Sequence, residues 1–453
     1  MSSIFTAPQK AFVTIGLIFG ILFLLITPPF QAADEYNHYY RAFQISEGQI
    51  IAEKQHEEVG GFLPKSLVTS TQKVSVGIPF NPEGKQKPEK IFSLFNLPLE
   101  SNNRVFVAFP NTAVYSPVPY LPQIIGIKLG KIIGLSPILL MYAGRICNLL
   151  VWLVLGYFAI KVTPICKWTF FLLALTPMSL FQAASLSADA VTNGVAFLLI
   201  ATFLQVALES KKVVTGSQIV IIFLLSVLLA LAKQAYFPLV GLFLLIPVKK
   251  VGNRKKYVGI FALLFLASVL AILTWSFFSK STYTILVPNV APSEQLHFIL
   301  THPFDLVGVI LRTFFKDGIE YIRQFVGKLG WLDTKLPPLF ILSYLIMLVF
   351  VSLVNHRKDI LISQRQKRIL SLVLILNVTL IATILYISWT PVGKHRVFGL
   401  QGRYFIPIAP LLFLLLDNSK FQVKVKNIGM ITALYSIFSA TLTAAVLLKR
   451  YYL

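Results

Sequence analysis

The sequence predicts an all-α polytopic membrane protein with about eleven transmembrane helices in a single membrane-embedded domain, residues 1–453. Three observations carry the prediction. Apolar residues make up 56% of the chain and charged residues 13%, against about 45–50% and about 25% in ordinary soluble domains. Mean hydropathy is +0.74. The basic residues, which give a formal net charge of +23, stand between long apolar runs. A soluble protein of this size has no way to hide so much apolar surface, which excludes a cytosolic globular enzyme. The interleaved cations suit helix orientation against a bilayer rather than nucleic-acid binding. Cys147 and Cys166 lie in or beside apolar runs, so neither a disulfide framework nor a Cys-based metal site is expected.

A span needs roughly 20 apolar residues. The candidates are 11–30, 137–160, 167–184, 188–208, 216–232, 235–249, 257–278, 338–355, 369–389, 404–417 and 427–448. Runs 235–249 and 404–417 are short and bounded by Pro and polar residues, the pattern of a broken or tilted span. No clean small-x-small cleavage site follows Thr27-Pro28-Pro29-Phe30, so run 11–30 reads as a retained first helix.

Orientation follows Lys and Arg in short loops. The groups are Lys161 with Lys167, Lys211 with Lys212, Lys249–Lys256, Arg357–Arg368, and Lys420, Lys424 and Lys426. With all five cytoplasmic, the N-terminus is inside and the spans alternate without conflict, provided 117–134 stays interfacial or re-entrant. Lys449-Arg450 then falls outside, a mild violation. Two extracytoplasmic segments result, about 31–136 and 279–337, and 15 of the 18 acidic residues lie on that side. Phe304, Val307, Ile310, Leu311 and Phe314 recur at helical spacing, which suits a helix at the outer interface.

Candidate chemistry gathers at the outer helix ends. Asp34-Glu35 follows the first span, with His38 and Arg41 one and two turns on. A carboxylate there can accept a proton from an attacking hydroxyl; a solvated helix end is the plainer alternative. Asp189 lies just inside the fourth span, where an acid should face protein or a watery cavity. An interhelical hydrogen bond with Ser187 or Asn193 is its alternative. Arg145, Lys233 and Arg403 are outer-leaflet cations. Arg403 sits in Gln401-Gly402-Arg403-Tyr404, and a guanidinium offers paired donors to phosphate. Snorkelling to headgroups is the alternative, strongest for Lys233 and for Lys394 with Arg396. Trp331 can anchor at the interface or stack on a sugar. Asp34-x-x-x-His38 lacks a third ligand and is a poor zinc motif.

The ordered motifs Asp34-Glu35-x-x-His38-x-x-Arg41, Tyr115-Ser-Pro117, Arg145-x-x-Asn148, Ser187-x-Asp189, Lys233, Gly327-x-x-Gly330-Trp331-x-Asp333 and Gln401-Gly402-Arg403-Tyr404 resemble the DUF2142 family of bacterial polytopic membrane proteins. That family looks like part of the GT-C superfamily of membrane glycosyltransferases. The resemblance implies a GT-C-like helix arrangement in the bacterial plasma membrane. It further implies a polyprenyl-phosphate-linked sugar donor, an envelope glycan or lipid-linked acceptor, and inverting transfer on the outer face. Asp34 or Glu35 is then the base. Arg403, with Lys233 or Arg145, holds the lipid phosphate; Asp189, His38, Tyr404 and Trp331 complete the binding set. A divalent metal is compatible but not required, and no nucleic-acid partner is expected. A transporter or flippase of lipid-linked sugars, or a non-catalytic envelope-assembly partner, stays open.

Overall fold

Every apolar run folds as helix, but not every run as one long helix. The computed structural model describes residues 7–209, 213–354, 360–417, 425 and 427–453. Among these, six helices are long and apolar enough to cross a membrane: Pro8–Ile26, Pro137–Val162, Asp189–Leu208, Arg254–Thr282, Gln364–Ser388 and Ile428–Tyr451. Gly216–Ala232, Gln234–Leu245, Pro338–Val354 and Gly402–Leu415 are apolar but, at 10–17 residues, fall short of the roughly 20 that a full crossing needs. Run 167–184 divides into Lys167–Ala174 and Pro177–Ala183, because Pro177 has no N–H and its ring blocks the turn before it. Pro238 and Pro407 lie in segments wound as the tighter 3-10 helix. Asp189–Leu208 is buried nearly all round and forms the centre, as its apolar composition on every face requires.

The helix ends gather at two poles. At one, lysines donate to the free carbonyls of helix C-termini. Lys250 Nζ reaches the carbonyls of Val206, Ala207 and Glu209. Lys367 Nζ reaches those of Leu415 and Asp417, and Lys167 Nζ those of Ile160 and Lys161. The cations expected in cytoplasmic loops therefore close this end of the bundle. Lys211, Lys212, Arg357, Lys358, Lys420, Lys424 and Lys426 lie outside the described residues.

The opposite pole carries both long inter-span segments. Arg450, the apparent violation of the charge rule, is buried there. It pairs with Asp333 at 2.9 Å and donates to the carbonyls of Gly84 and Ile78. The last helix is thus tied to both segments, and its charge is neutralised within the protein. The segment after the first helix corrects the all-α expectation. Strands Glu53–Gln55, Glu58–Pro64 and Arg104–Ala108 form a three-stranded antiparallel sheet. A further two-residue pair, Lys328–Leu329 with Thr334–Lys335, closes the loop around Trp331. Glu47 takes Lys131 at 2.9 Å and Arg104 at 2.5 Å, joining the sheet to helix Leu121–Ile132. That helix has 12 residues, too few to span, which suits an interfacial or a re-entrant piece alike.

Candidate functional site

The site begins with a backbone reversal. Asp34 has φ of 60°, in the left-handed region, and the helix Glu35–Ser46 starts after it. The two adjacent carboxylates are thereby sent in different directions. Glu35 points inward and is fully buried. Arg145 grips it with Nε to Oε1 at 2.7 Å and Nη2 to Oε2 at 2.6 Å, and the Leu186 N–H adds a third bond at 3.0 Å. Arg145 spends its other donors on the carbonyls of Leu24, Thr27 and Pro28. Both side chains have zero exposure. The pair ties helix Glu35–Ser46 to Pro137–Val162, and the carbonyl bonds tie the end of the first helix to it. Glu35, expected as a candidate base, and Arg145, expected as a phosphate holder, are thus occupied by each other away from the surface.

Asp34 points the other way. Its side chain is 36% exposed, and Asn111 Nδ2 donates to its Oδ1 at 2.9 Å. Arg403 Nη2 stands 3.9 Å from its Oδ2. The residues lie 369 positions apart (403 − 34) and meet at one point. Arg403 Nε donates to Gln401 Oε1 at 2.7 Å and stands 3.8 Å from Asp189 Oδ2. The guanidinium is therefore held by its own neighbour in sequence while two carboxylates flank it beyond hydrogen-bond reach.

Asp189 is occupied more tightly. Lys233 Nζ donates to its Oδ1 at 3.1 Å and Gln182 Nε2 to its Oδ2 at 2.7 Å. Ser187 Oγ accepts from the Asp189 backbone N–H, and Asn193 bonds Gln182 rather than the acid. Lys233 does not snorkel outward; its ammonium lies 4.4 Å from the Tyr404 ring centroid. Tyr236 Oη fixes Tyr404 through its carbonyl at 2.9 Å. Trp331 roofs the Asp34 side: its ring stacks on Tyr36 at 5.5 Å and its Nε1 donates to the Phe30 carbonyl.

His38 is buried beneath these groups. Its Nδ1 lies 2.8 Å from Tyr120 Oη, and its ring stacks on Tyr115. Burial pushes the imidazole down to about 4, despite the opposing pull of Asp34 and Asp189. His38 is therefore neutral near pH 7. Below its ordinary value of 6.5, the unfolded chain binds a proton here that the folded one refuses until about pH 4. Folding stability must then fall with pH across that window, by about 3 kcal/mol from this residue alone. His38→Gln is expected to flatten the pH dependence of the melting temperature below about pH 6.5; an unchanged slope would refute it.

Gly402 sets the position of Arg403. A β-carbon there would lie 1.8 Å from the Tyr321 carbonyl oxygen, and the Gly402 N–H donates to Gln324 Oε1 at 2.8 Å. Gly402→Ala must push the loop off the Pro303–Gly327 helix, at a cost of about 1–3 kcal/mol. A lower melting temperature is the expected result; an unchanged one would show that the close approach is dispensable.

Five expected site residues thus converge directly: Asp34, Asp189, Lys233, Arg403 and Tyr404. His38 and Trp331 flank them. Gln182 and Asn111 were not anticipated. Gln182 had a signal, an amide inside an apolar run; Asn111, in the four-residue helix Pro110–Ala113, had none. Ala32, Gln182, Ser187, Gly330, Leu332 and Arg403 help line a cavity of about 10 Å³, room for about one water. Among the described residues no group of three or more His, Cys, Asp or Glu side chains is placed to hold a metal.

A family model described as a predicted membrane protein, DUF2142, matches residues 17–412. No curated protein and no solved structure matches the chain.

Proposed function

The chain belongs to the DUF2142 family of predicted membrane proteins, and we propose that it is a GT-C-type glycosyltransferase. In this proposal it moves a sugar from a polyprenyl-phosphate donor to an envelope glycan or lipid-linked acceptor. The observation that most supports it is the meeting of Asp34 and Arg403, 3.9 Å apart, beside the Lys233–Asp189 pair. Transfer from a phosphate-linked sugar needs a base for the acceptor hydroxyl and positive charge for the departing phosphate. Asp34 takes the hydroxyl proton. The hydroxyl oxygen bonds to the anomeric carbon, and the bond from that carbon to the phosphate oxygen breaks. Its electron pair leaves on the phosphate, which Arg403 and Lys233 neutralise. Attack opposite the leaving group inverts the anomeric centre. Asp189 keeps Lys233 in place and presents a second acceptor to the sugar hydroxyls.

All eleven apolar runs cross the bilayer in this proposal, with the lysine-capped pole cytoplasmic and the site on the outer face of the bacterial plasma membrane. The alternation of helix ends between the two poles supports it, as does the burial of Arg450 against Asp333. The cavity beside Arg403 has room for about one water, and in this proposal the donor displaces the loop of Gly330 and Leu332, two residues with positive φ.

A transporter of lipid-linked sugars draws on the same network, because Arg403 stands nearly equidistant from two acids and could exchange partners. Purified protein in detergent separates the two. A new glycosidic bond, formed from a polyprenyl-phosphate sugar with no transmembrane gradient present, supports the enzyme. Substrate movement in sealed vesicles without bond formation would overturn it.

A further inference from the structure

Helix Pro303–Gly327 carries an apolar stripe that the chain leaves uncovered. Phe304, Val307, Leu311, Phe315, Ile319 and Ile322 follow one another at intervals of three or four and are all exposed, Phe304 and Phe315 to 88% and 90%. The other face is seated. Val309, Thr313, Tyr321 and Gln324 are buried, and Phe314 and Tyr321 pack on Phe405. At about 100° per residue, Arg312, Lys316 and Arg323 line one flank of the stripe. All three are exposed. Among the described residues Arg312 and Lys316 have no ion-pair partner, and Arg323 has only a loose one, Glu320 at 3.7 Å.

A second segment adds to the charge. Arg312 Nε donates to the His395 carbonyl at 3.4 Å, and the Val397 N–H donates to Thr313 Oγ1 at 2.9 Å. These bonds bring exposed Lys394 alongside the helix. Arg396 is matched by Asp317 at 3.4 Å, so the surplus charge rests on Arg312, Lys316, Arg323 and Lys394. A wide apolar stripe flanked by cations is the pattern of a helix lying in a bilayer interface. Apolar burial alone would not call for one flank of unmatched cations; anionic headgroups would.

We propose that this helix lies along the bilayer surface on the site's side and recognises anionic phospholipid. The stripe enters the acyl region, and Arg312, Lys316, Arg323 and Lys394 hold the headgroups. The proposal is independent of the reaction the site performs.

Hydrogen–deuterium exchange on full-length protein in nanodiscs tests it. Compared with phosphatidylcholine alone, added phosphatidylglycerol should slow amide exchange over residues 304–323 roughly tenfold. The triple variant Arg312→Gln/Lys316→Gln/Arg323→Gln should lose that difference, whereas Arg312→Lys/Arg323→Lys should keep it. Phe315→Lys should raise exchange in both lipids. Protection that ignores headgroup charge, or that survives the triple variant, overturns the proposal. So does equal protection from glycerol phosphate added to phosphatidylcholine discs, which would mark a soluble-anion site instead.

Discussion

Arg145→Gln is expected to leave little folded protein. Arg145 and Glu35 are both fully buried, and each satisfies the other through two short hydrogen bonds. Removing one member of such a pair strands a charge in a medium that cannot solvate it, at a cost of about 3–5 kcal/mol. The carbonyls of Leu24, Thr27 and Pro28 lose their donor as well. Those three groups end the first helix, so the damage falls where Asp34 is positioned. Glu35→Gln should be milder. The amide oxygen can still accept from Arg145 and from the Leu186 N–H, and three carbonyls still hold the guanidinium. The expected order of stability is wild type, then Glu35→Gln, then Arg145→Gln, read from monodisperse yield and melting temperature in detergent. The comparison also tests the reversal at Asp34. If Glu35 were the base, Glu35→Gln would fold normally and be inactive. If it is part of the frame, activity per folded molecule should survive.

The long apolar runs were legible because a bilayer leaves the backbone few alternatives to helix. Where they failed, a local event intervened. Pro177 divides one run, and Pro238 lies in a segment wound into 3-10 helix. The sheet was missed because its first strand, Glu53–Gln55, is wholly exposed and shows no alternation of apolar and polar residues. Asp189, Lys233 and Arg403 could be found because each is an ionisable group beside apolar sequence, and such groups need partners. The same rule picked out Arg145, whose partner is the buried Glu35. It could not separate Asp34 from Glu35. Their roles divide on the sign of one φ angle, which tertiary docking decides and residue type alone does not. The basic C-terminal Lys449-Arg450 looked like a topological violation because sequence charge counts do not see Asp333 waiting 2.9 Å away.

If Asp34 is the base of the proposed transfer, Asp34→Asn is expected to cut that transfer sharply while leaving the fold intact. The position tolerates the change for three reasons. Asparagine is among the residues that accept left-handed backbone, which the φ of 60° at this site demands. Its side-chain oxygen can keep the bond from Asn111. The side chain is partly exposed, and the buried Arg403, which loses the Asp34 charge, keeps Asp189 at 3.8 Å. Chemistry is another matter, since a carboxamide cannot take the acceptor proton. Removing a general base typically costs a factor of about 10²–10⁴ in rate, here expected in kcat with the donor KM little changed. Arg403→Lys should act differently. It keeps the charge but loses the planar fork and the Nε bond to Gln401, so donor KM should rise as well. Both variants should match wild type in monodispersity, and Asp34→Asn in melting temperature also. Undiminished transfer by purified Asp34→Asn would remove the proposed base. With it would go the significance of the approach between Asp34 and Arg403.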